Sequence, residues 1–296
     1  MKRLLCLAFT VLSMYFCSLT HAVTVEDSKG TFTLDYIPKR IVVLEFSFAD
    51  ALASVNVSPV GIADDKDPER VLKQVRDIIG EWQSVGTRSQ PSLEVISSLK
   101  PDLIIADIGR HEGVYEDLKK IAPTLILPSR RETYEDNLKA ATVIGKVVGK
   151  DQKMQARLAK HKIIMQNYAT QLPKDFNVQF VVARADNLFM HPANSYAGGV
   201  IKALGLKNPS LEKDDKQSSR QIGLEQLLAI NPDYLIVGTY VSPNIIDKWE
   251  KEPLWSVLKV ARNQHIFRVN GNVWSRCRGI MAAENMAKDL TRIFNQ

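Results

Sequence analysis

Cysteine is scarce in this 296-residue sequence: only Cys6, Cys17 and Cys277 occur. Two of the three fall within the first 22 residues, so the rest of the chain has no pair from which to build a disulfide framework and must rest on its core. A chain of this length buries enough apolar surface to do so. Cys277 then reads as a small buried residue, since an exposed thiol in an oxidising compartment is a liability. Histidine is sparse too, and His111, His161, His191 and His265 show no metal-ligand spacing. No glycine-rich phosphate loop occurs, because Gly145-Lys146 and Gly149-Lys150 sit inside a helical pattern. The nucleophile-elbow pattern G-x-S-x-G is missing. There is no Lys/Arg-rich run, although 39 basic against 33 acidic residues leave a net charge of +6. These absences exclude a nucleic-acid stripe and leave a modest surplus suited to small anions. With 45% hydrophobic and 24% charged residues, disorder and a polytopic membrane protein are excluded as well.

What is present begins with an address. Residues 1–22 carry a basic start at Lys2 and Arg3, an apolar stretch from Leu4 to Leu19, and a Thr20-His21-Ala22 cleavage pattern. This reads as a secretory signal peptide cut after Ala22. The stretch is shorter than the ~20 apolar residues of a spanning helix. Cys17 follows bulky Tyr15 and Phe16, a poor context for lipid attachment. A soluble periplasmic protein is expected.

The remaining chain reads as two similar halves. Residues 92–107 are SLEVISSLKPDLIIAD and residues 223–238 are GLEQLLAINPDYLIVG. One constant offset pairs Leu93 with Leu224, Glu94 with Glu225, Pro101 with Pro232, Asp102 with Asp233 and Ile105 with Ile236. Leu93, Ile96 and Leu99 keep helical spacing, Pro101 ends the helix, and Leu103 to Ala106 is a short buried strand. Further strands are expected at Ile41–Leu44, Val60–Ala63, Thr124–Leu127 and Val178–Ala183. Ser47 is a candidate N-cap for a helix over Phe48 to Val55. Another helix is expected over Ser195 to Leu204. Between the halves, about Thr133 to Leu172 keeps helical periodicity, with Gly145 and Gly149 as weak points. One continuous helix of that size spans about 50 Å. The predicted architecture is α/β: an N-terminal lobe at 23–132, a helical strut at 133–172 and a C-terminal lobe at 173–296. Both lobes are Rossmann-like, with a ligand cleft between them at the carboxyl ends of the strands.

Arginine recurs at those strand ends. Arg88 follows Val85-Gly86-Thr87, Arg110 follows Leu103–Asp107, Arg130 follows Thr124–Leu127, and Arg184 follows Val178–Ala183. Near the C-terminus, Asn272-Val273-Trp274-Ser275-Arg276-Cys277-Arg278 sets an indole beside two guanidiniums. Guanidinium forks match carboxylates bidentately. One hydrogen bond to a charged group contributes about 1.5–3 kcal/mol, and micromolar binding needs roughly 8 kcal/mol. A few well-placed arginines therefore suffice, with Trp274 as a flat wall or as core. Asp64, Asp65 and Asp67 form an acidic loop that reads as a solvated turn, since no calcium-loop pattern follows.

Several stretches then carry a resemblance: RIVVLEFSFADALASVNVSPVGIADD from Arg40, WQSVGTRSQPSLEVISSLKPDLIIAD from Trp82, RHEGVYEDLKKIAP from Arg110 and NVWSRCRGIMAAE from Asn272. They resemble the ferric-citrate-binding branch of the helix-braced, two-lobed substrate-binding proteins, whose wider class carries ferric siderophores, haem and cobalamin to ATP-driven importers. The S-L-E-x-I-x-x-L-x-P-D-L-I-I motif marks the class rather than the ligand. The resemblance implies a monomeric, non-enzymatic receptor whose ligand is ferric citrate, with no cofactor and no protein ligand to iron. It implies that Glu94 and Glu225 dock onto arginines of two inner-membrane permease subunits. Arg88, Arg110, Arg130, Arg184 and Arg276, with Trp274, are the expected ligand-binding residues. The braced scaffold predicts small closure. The alternatives are a receptor for another anionic or hydroxamate siderophore, a zinc or manganese receptor, and a periplasmic hydrolase or oxidoreductase. The last would need a positioned base or a cofactor loop, and neither is found.

Overall fold

The computed structural model describes residues 22–209 and 219–295. The predicted signal segment up to His21, with Cys6 and Cys17, lies outside the described residues. An N-terminal hairpin of β1 (Val23–Asp27) and β2 (Gly30–Leu34) precedes the first lobe. That lobe holds β3 (Ile41–Val43), β4 (Gly61–Ile62), β5 (Gln83–Ser84), β6 (Leu103–Asp107) and β7 (Thr124–Leu127). They form an all-parallel sheet in the order β5-β4-β3-β6-β7, with the first strand in the middle.

The second lobe holds β8 (Val178–Ala183), β9 (Leu188–Met190), β10 (Arg220–Ile222), β11 (Tyr234–Thr239) and β12 (Ile266–Asn270). Their order is β10-β9-β8-β11-β12. Here β8, β11 and β12 are parallel, while β9 runs antiparallel to both its neighbours.

The central strands β3, β6 and β8 are buried along their whole length and mostly apolar, because both faces of each sheet are covered. In the first sheet Ile41, Val43, Leu103 and Ile105 face one cluster, and Val42, Ile104 and Ala106 face the other. In the second sheet Phe180, Val182 and Ile236 oppose Val181, Leu235 and Val237 in the same way. The repeated Pro-Asp pair has a local task. The Asp102 carboxylate accepts the backbone N–H groups of Lys39 at 2.7 Å and Arg40 at 2.8 Å, just ahead of β3. Asp233 accepts from Asn177 N–H at 2.9 Å, just ahead of β8. Each Asp thus ties the entry of its own strand to the entry of the lobe's first strand.

Three expectations are corrected. The strut is not one helix. It breaks at Gly149, whose φ of +67° suits glycine, into Tyr134–Val147 and Asp151–Gln171. The two helices fold back on each other, so that a Cβ on Gly145 would meet the Met154 side chain at 2.5 Å. Tyr134 reaches His161 across the same seam. A hairpin buries apolar faces that an extended strut would leave bare. Second, the first helix is Phe46–Ser54, with Glu45 at its N-cap. Ser47 lies inside the helix and bonds Ser129 Oγ at 2.7 Å. Third, the acidic loop is only partly solvated: Asp67 is half-exposed, whereas Asp64 and Asp65 turn inward. Asp64 is buried and accepts from Trp82 Nε1 at 3.1 Å and from Lys66 N–H at 3.0 Å.

The C-terminal helix Ile280–Phe294 does what the strut alone was expected to do. Its first residues, Ile280 to Ala282, pack in the first lobe's core, and Ala283, Met286, Ala287, Leu290 and Ile293 pack in the second's. Asp50, from the first lobe, caps it by accepting the N–H groups of Met281 (3.0 Å) and Ala282 (3.2 Å). Gly279 makes room for this cap, because a Cβ there would lie 2.2 Å from the Asp50 carboxyl carbon.

Candidate functional site

Parallel strands aim their carboxyl ends at one edge of each sheet, and the loops after them meet across a cavity of about 450 Å³. Arg88 follows β5, Arg110 follows β6, Arg130 follows β7 and Arg184 follows β8. Arg276 and Arg278 come from the segment after β12, which makes a π-helical turn over Val273–Cys277. All six arginines line the cavity, together with Trp274, Tyr240, His191, Ser195 and Ser275. Among the described residues no carboxylate lines it.

Five of the six guanidiniums are held in two different ways. Near the first lobe they are tied to carboxylates. Glu45 is fully buried at the start of its helix. Its Oε2 accepts from Arg278 Nη2 at 2.8 Å and from Arg88 Nη1 at 3.4 Å, and its Oε1 accepts from Arg110 Nε. Asp65 takes the other side of Arg88, through Nη2 at 2.8 Å and Nε at 3.2 Å. Every nitrogen of the Arg88 fork is therefore occupied. Burial works to raise the Glu45 carboxyl, but the charges of Arg278, Arg88 and Arg110 outweigh it and hold it below the usual carboxylate range. Asp65 is likewise held down to about 2: burial acts to raise it, and Arg88 overrides that.

Near the second lobe the arginines rest on aromatic rings. The Arg276 guanidinium sits 4.1 Å from the centroid of Tyr240, and that of Arg184 sits 4.9 Å from Phe189. Arg276 Nη1 also donates to Asn272 Oδ1 at 2.8 Å. Tyr240 is fixed in turn by donating to the Gly271 carbonyl at 2.9 Å. Among the described residues no carboxylate pairs with Arg130, Arg184 or Arg276. Burial lowers the pKa of Arg130, and the neighbouring Arg110, Arg131 and Arg278 lower it further. The cavity therefore gathers positive charge at a cost that an anionic ligand relieves.

The histidines are structural. Asp107 N–H donates to His111 Nδ1 at 2.9 Å, so the proton lies on Nε2 and is donated to the Arg88 carbonyl at 2.8 Å. This bond ties the loop after β5 to the end of β6. His191 faces the cavity with its pKa pushed down to about 4 by burial and then by Arg278, so it is neutral at neutral pH. His161 is buried between Tyr134 and Glu284. Trp274 backs the cavity from within the core. It has no exposed surface, stacks near Phe180 at 5.1 Å and donates its indole N–H to Asp289 at 3.0 Å.

The two predicted docking residues are elsewhere. Glu94 and Glu225 are both exposed and both lie in the first turn of a helix, Leu93–Ser98 and Leu224–Ile230. Those helices lead into β6 and β11, the fourth strand of each sheet as ordered above. The two carboxylates are thus topological equivalents at the carboxyl edge of their sheets. Sequence reasoning missed Arg278, Glu45, Asp65 and Tyr240 as parts of the site. Glu45 did carry a signal, being a lone acid within the apolar run IVVLEFSF.

The sequence matches the family model described as periplasmic binding protein over residues 41–272. It is 52% identical over 274 residues to the Fe(3+) dicitrate-binding periplasmic protein FecB of Escherichia coli (strain K12), across 93% of this chain and 91% of that protein. It is 42% identical to the Fe(3+)-citrate-binding protein YfmC of Bacillus subtilis (strain 168), across 92% and 86% of the two chains. Among solved structures, Staphylococcus aureus SirA complexed with staphyloferrin B superposes with a TM-score of 0.81 at 24% identity, covering 92% of this chain and 98% of that one.

Proposed function

Because this chain belongs to the periplasmic binding protein family, we propose that it captures ferric citrate in the periplasm and delivers it to an inner-membrane ATP-driven importer. The observation that carries this reading is the cavity: six arginines, no carboxylate among the described lining residues, and a surplus of positive charge over the buried Glu45 and the partly buried Asp65. A ferric citrate complex brings more carboxylate charge than its metal cancels, and bidentate guanidinium forks fit those carboxylates. In this reading citrate supplies every donor to iron, and the protein holds citrate. Arg130, Arg184 and Arg276 contact the ligand with forks that no described carboxylate holds, Arg110 contacts it through its terminal nitrogens, and Arg88 supports them from behind. Trp274 shapes the wall from below the surface. Similarity to the iron-citrate-binding relatives supports the same ligand class.

Delivery rests on Glu94 and Glu225, equivalent charges on equivalent helices, which suit a permease built from two equivalent subunits. The receptor works as a monomer, exported on a signal peptide cut after Ala22. Titration of tryptophan emission tests the ligand: ferric citrate is expected to change it at micromolar concentration or below. A response to a ferric catecholate or a hydroxamate, with none to ferric citrate, overturns the substrate.

A further inference from the structure

Glu45 touches guanidiniums from two distant parts of the chain. Arg88 and Arg110 belong to the first lobe, and Arg278 belongs to the segment that follows the second lobe's last strand. Arg88 and Arg278 are only 5% and 6% exposed. Buried this deeply, they cannot draw on water, and like charges this close repel. Both Glu45 oxygens are committed to them, so this carboxylate serves as a fixed anion beneath the cavity floor.

We propose that Glu45 is a positioning residue that sets both the arrangement and the net charge of the arginine floor, and so tunes which polyanions the cavity accepts. It does not touch the ligand. It presets three forks so that binding need not order them, and it cancels one of their charges. The ligand-selectivity part of this inference rests on the ferric citrate reading. The positioning part does not.

The test compares wild type with Glu45→Gln and Glu45→Asp, each first checked for folding by circular dichroism. Ferric citrate association is followed by stopped-flow fluorescence across a salt series. In Glu45→Gln the affinity is expected to fall about tenfold or more, because the forks are no longer preset. Its association rate should depend more steeply on salt, because one more positive charge is uncompensated. In Glu45→Asp the charge is kept at a shorter reach. The salt dependence should return to the wild-type slope while part of the affinity loss remains. Unchanged affinity in Glu45→Gln, or a Glu45→Asp slope as steep as that of Gln, overturns the proposal.

Ligand-free crystal structures of wild type and Glu45→Asp supply a readout independent of any ligand. The Arg110 or Arg278 guanidinium should shift by more than about 1 Å in the variant. Guanidiniums that stay in place overturn the positioning role whatever the protein binds. A wild-type protein that ignores ferric citrate while the guanidiniums do shift overturns the ligand reading alone.

Discussion

At the scale of single residues, the arginines divide by what holds them, and that division predicts different phenotypes. Arg184 and Arg276 lie on aromatic faces with no carboxylate partner among the described residues. Their change to Ala is expected to weaken ferric citrate binding by about tenfold each while leaving the melting temperature within a few degrees. Arg88→Ala removes the partner of Asp65 and one partner of Glu45. Breaking a buried pair costs about 3–5 kcal/mol, so this variant should lose stability first, as read by urea unfolding. Asp50 predicts a pH effect of opposite sign to that of most carboxylates. Burial raises its pKa to about 6 in the folded chain, from an ordinary value of 3.8. Between those values the folded chain holds a proton that the unfolded chain has lost. Asp50 therefore makes the protein less stable as pH rises from about 4 to about 6. Asp50→Asn should flatten the slope of urea stability against pH in that window. Asp65 behaves in the usual direction. Its folded pKa is held down to about 2, so the stability it contributes is present above about pH 4 and is lost as pH falls toward 2.

At the scale of elements, punctuation residues decide the architecture. The Gly279→Ala change puts a methyl group into the Asp50 carboxyl. The cap on the C-terminal helix should then fail, costing about 1–3 kcal/mol by denaturant unfolding. The helices that present Glu94 and Glu225 are short and capped independently of those carboxylates, by Ser92 in one case and by a Gln226 bond to the Gly223 N–H in the other. Changing both glutamates to Ala should therefore abolish uptake in cells while ferric citrate binding persists. Loss of both together would point to misfolding. Much of this level was legible from sequence. The repeat placed helix, Pro-Asp and strand in both halves, because strand burial on two faces demands continuous apolar runs. Arginines after strand ends were legible because chain direction alone puts those ends at one edge. Glu45, Arg278 and Tyr240 were not assigned, since their roles arise from partners up to hundreds of residues away, which periodicity does not encode. The break at Gly149 was visible only as a weak point. What turns a weak point into a hairpin is the packing of Met154 against Gly145, and that is a tertiary fact.

At the scale of the whole molecule, two separate stretches of chain cross between the lobes: the helical hairpin of Tyr134–Val147 with Asp151–Gln171, and the helix Ile280–Phe294. The first packs its Ala140, Ala141 and Ile144 in the first lobe's core and its Tyr134 in the second's. Two packed crossings resist a hinge more than one does, so the radius of gyration from X-ray scattering should change by less than about 1 Å between empty and loaded protein. A larger contraction would show that the braces yield. The position of the second crossing in the chain has a further outcome. The staple that joins the halves follows every described strand of both sheets in the sequence, and its buried face is split between their two cores. A polypeptide truncated after Gly279 should stay open to proteases, whereas the complete one resists them. Losing that one helix therefore unfastens both lobes at once, although it belongs wholly to neither.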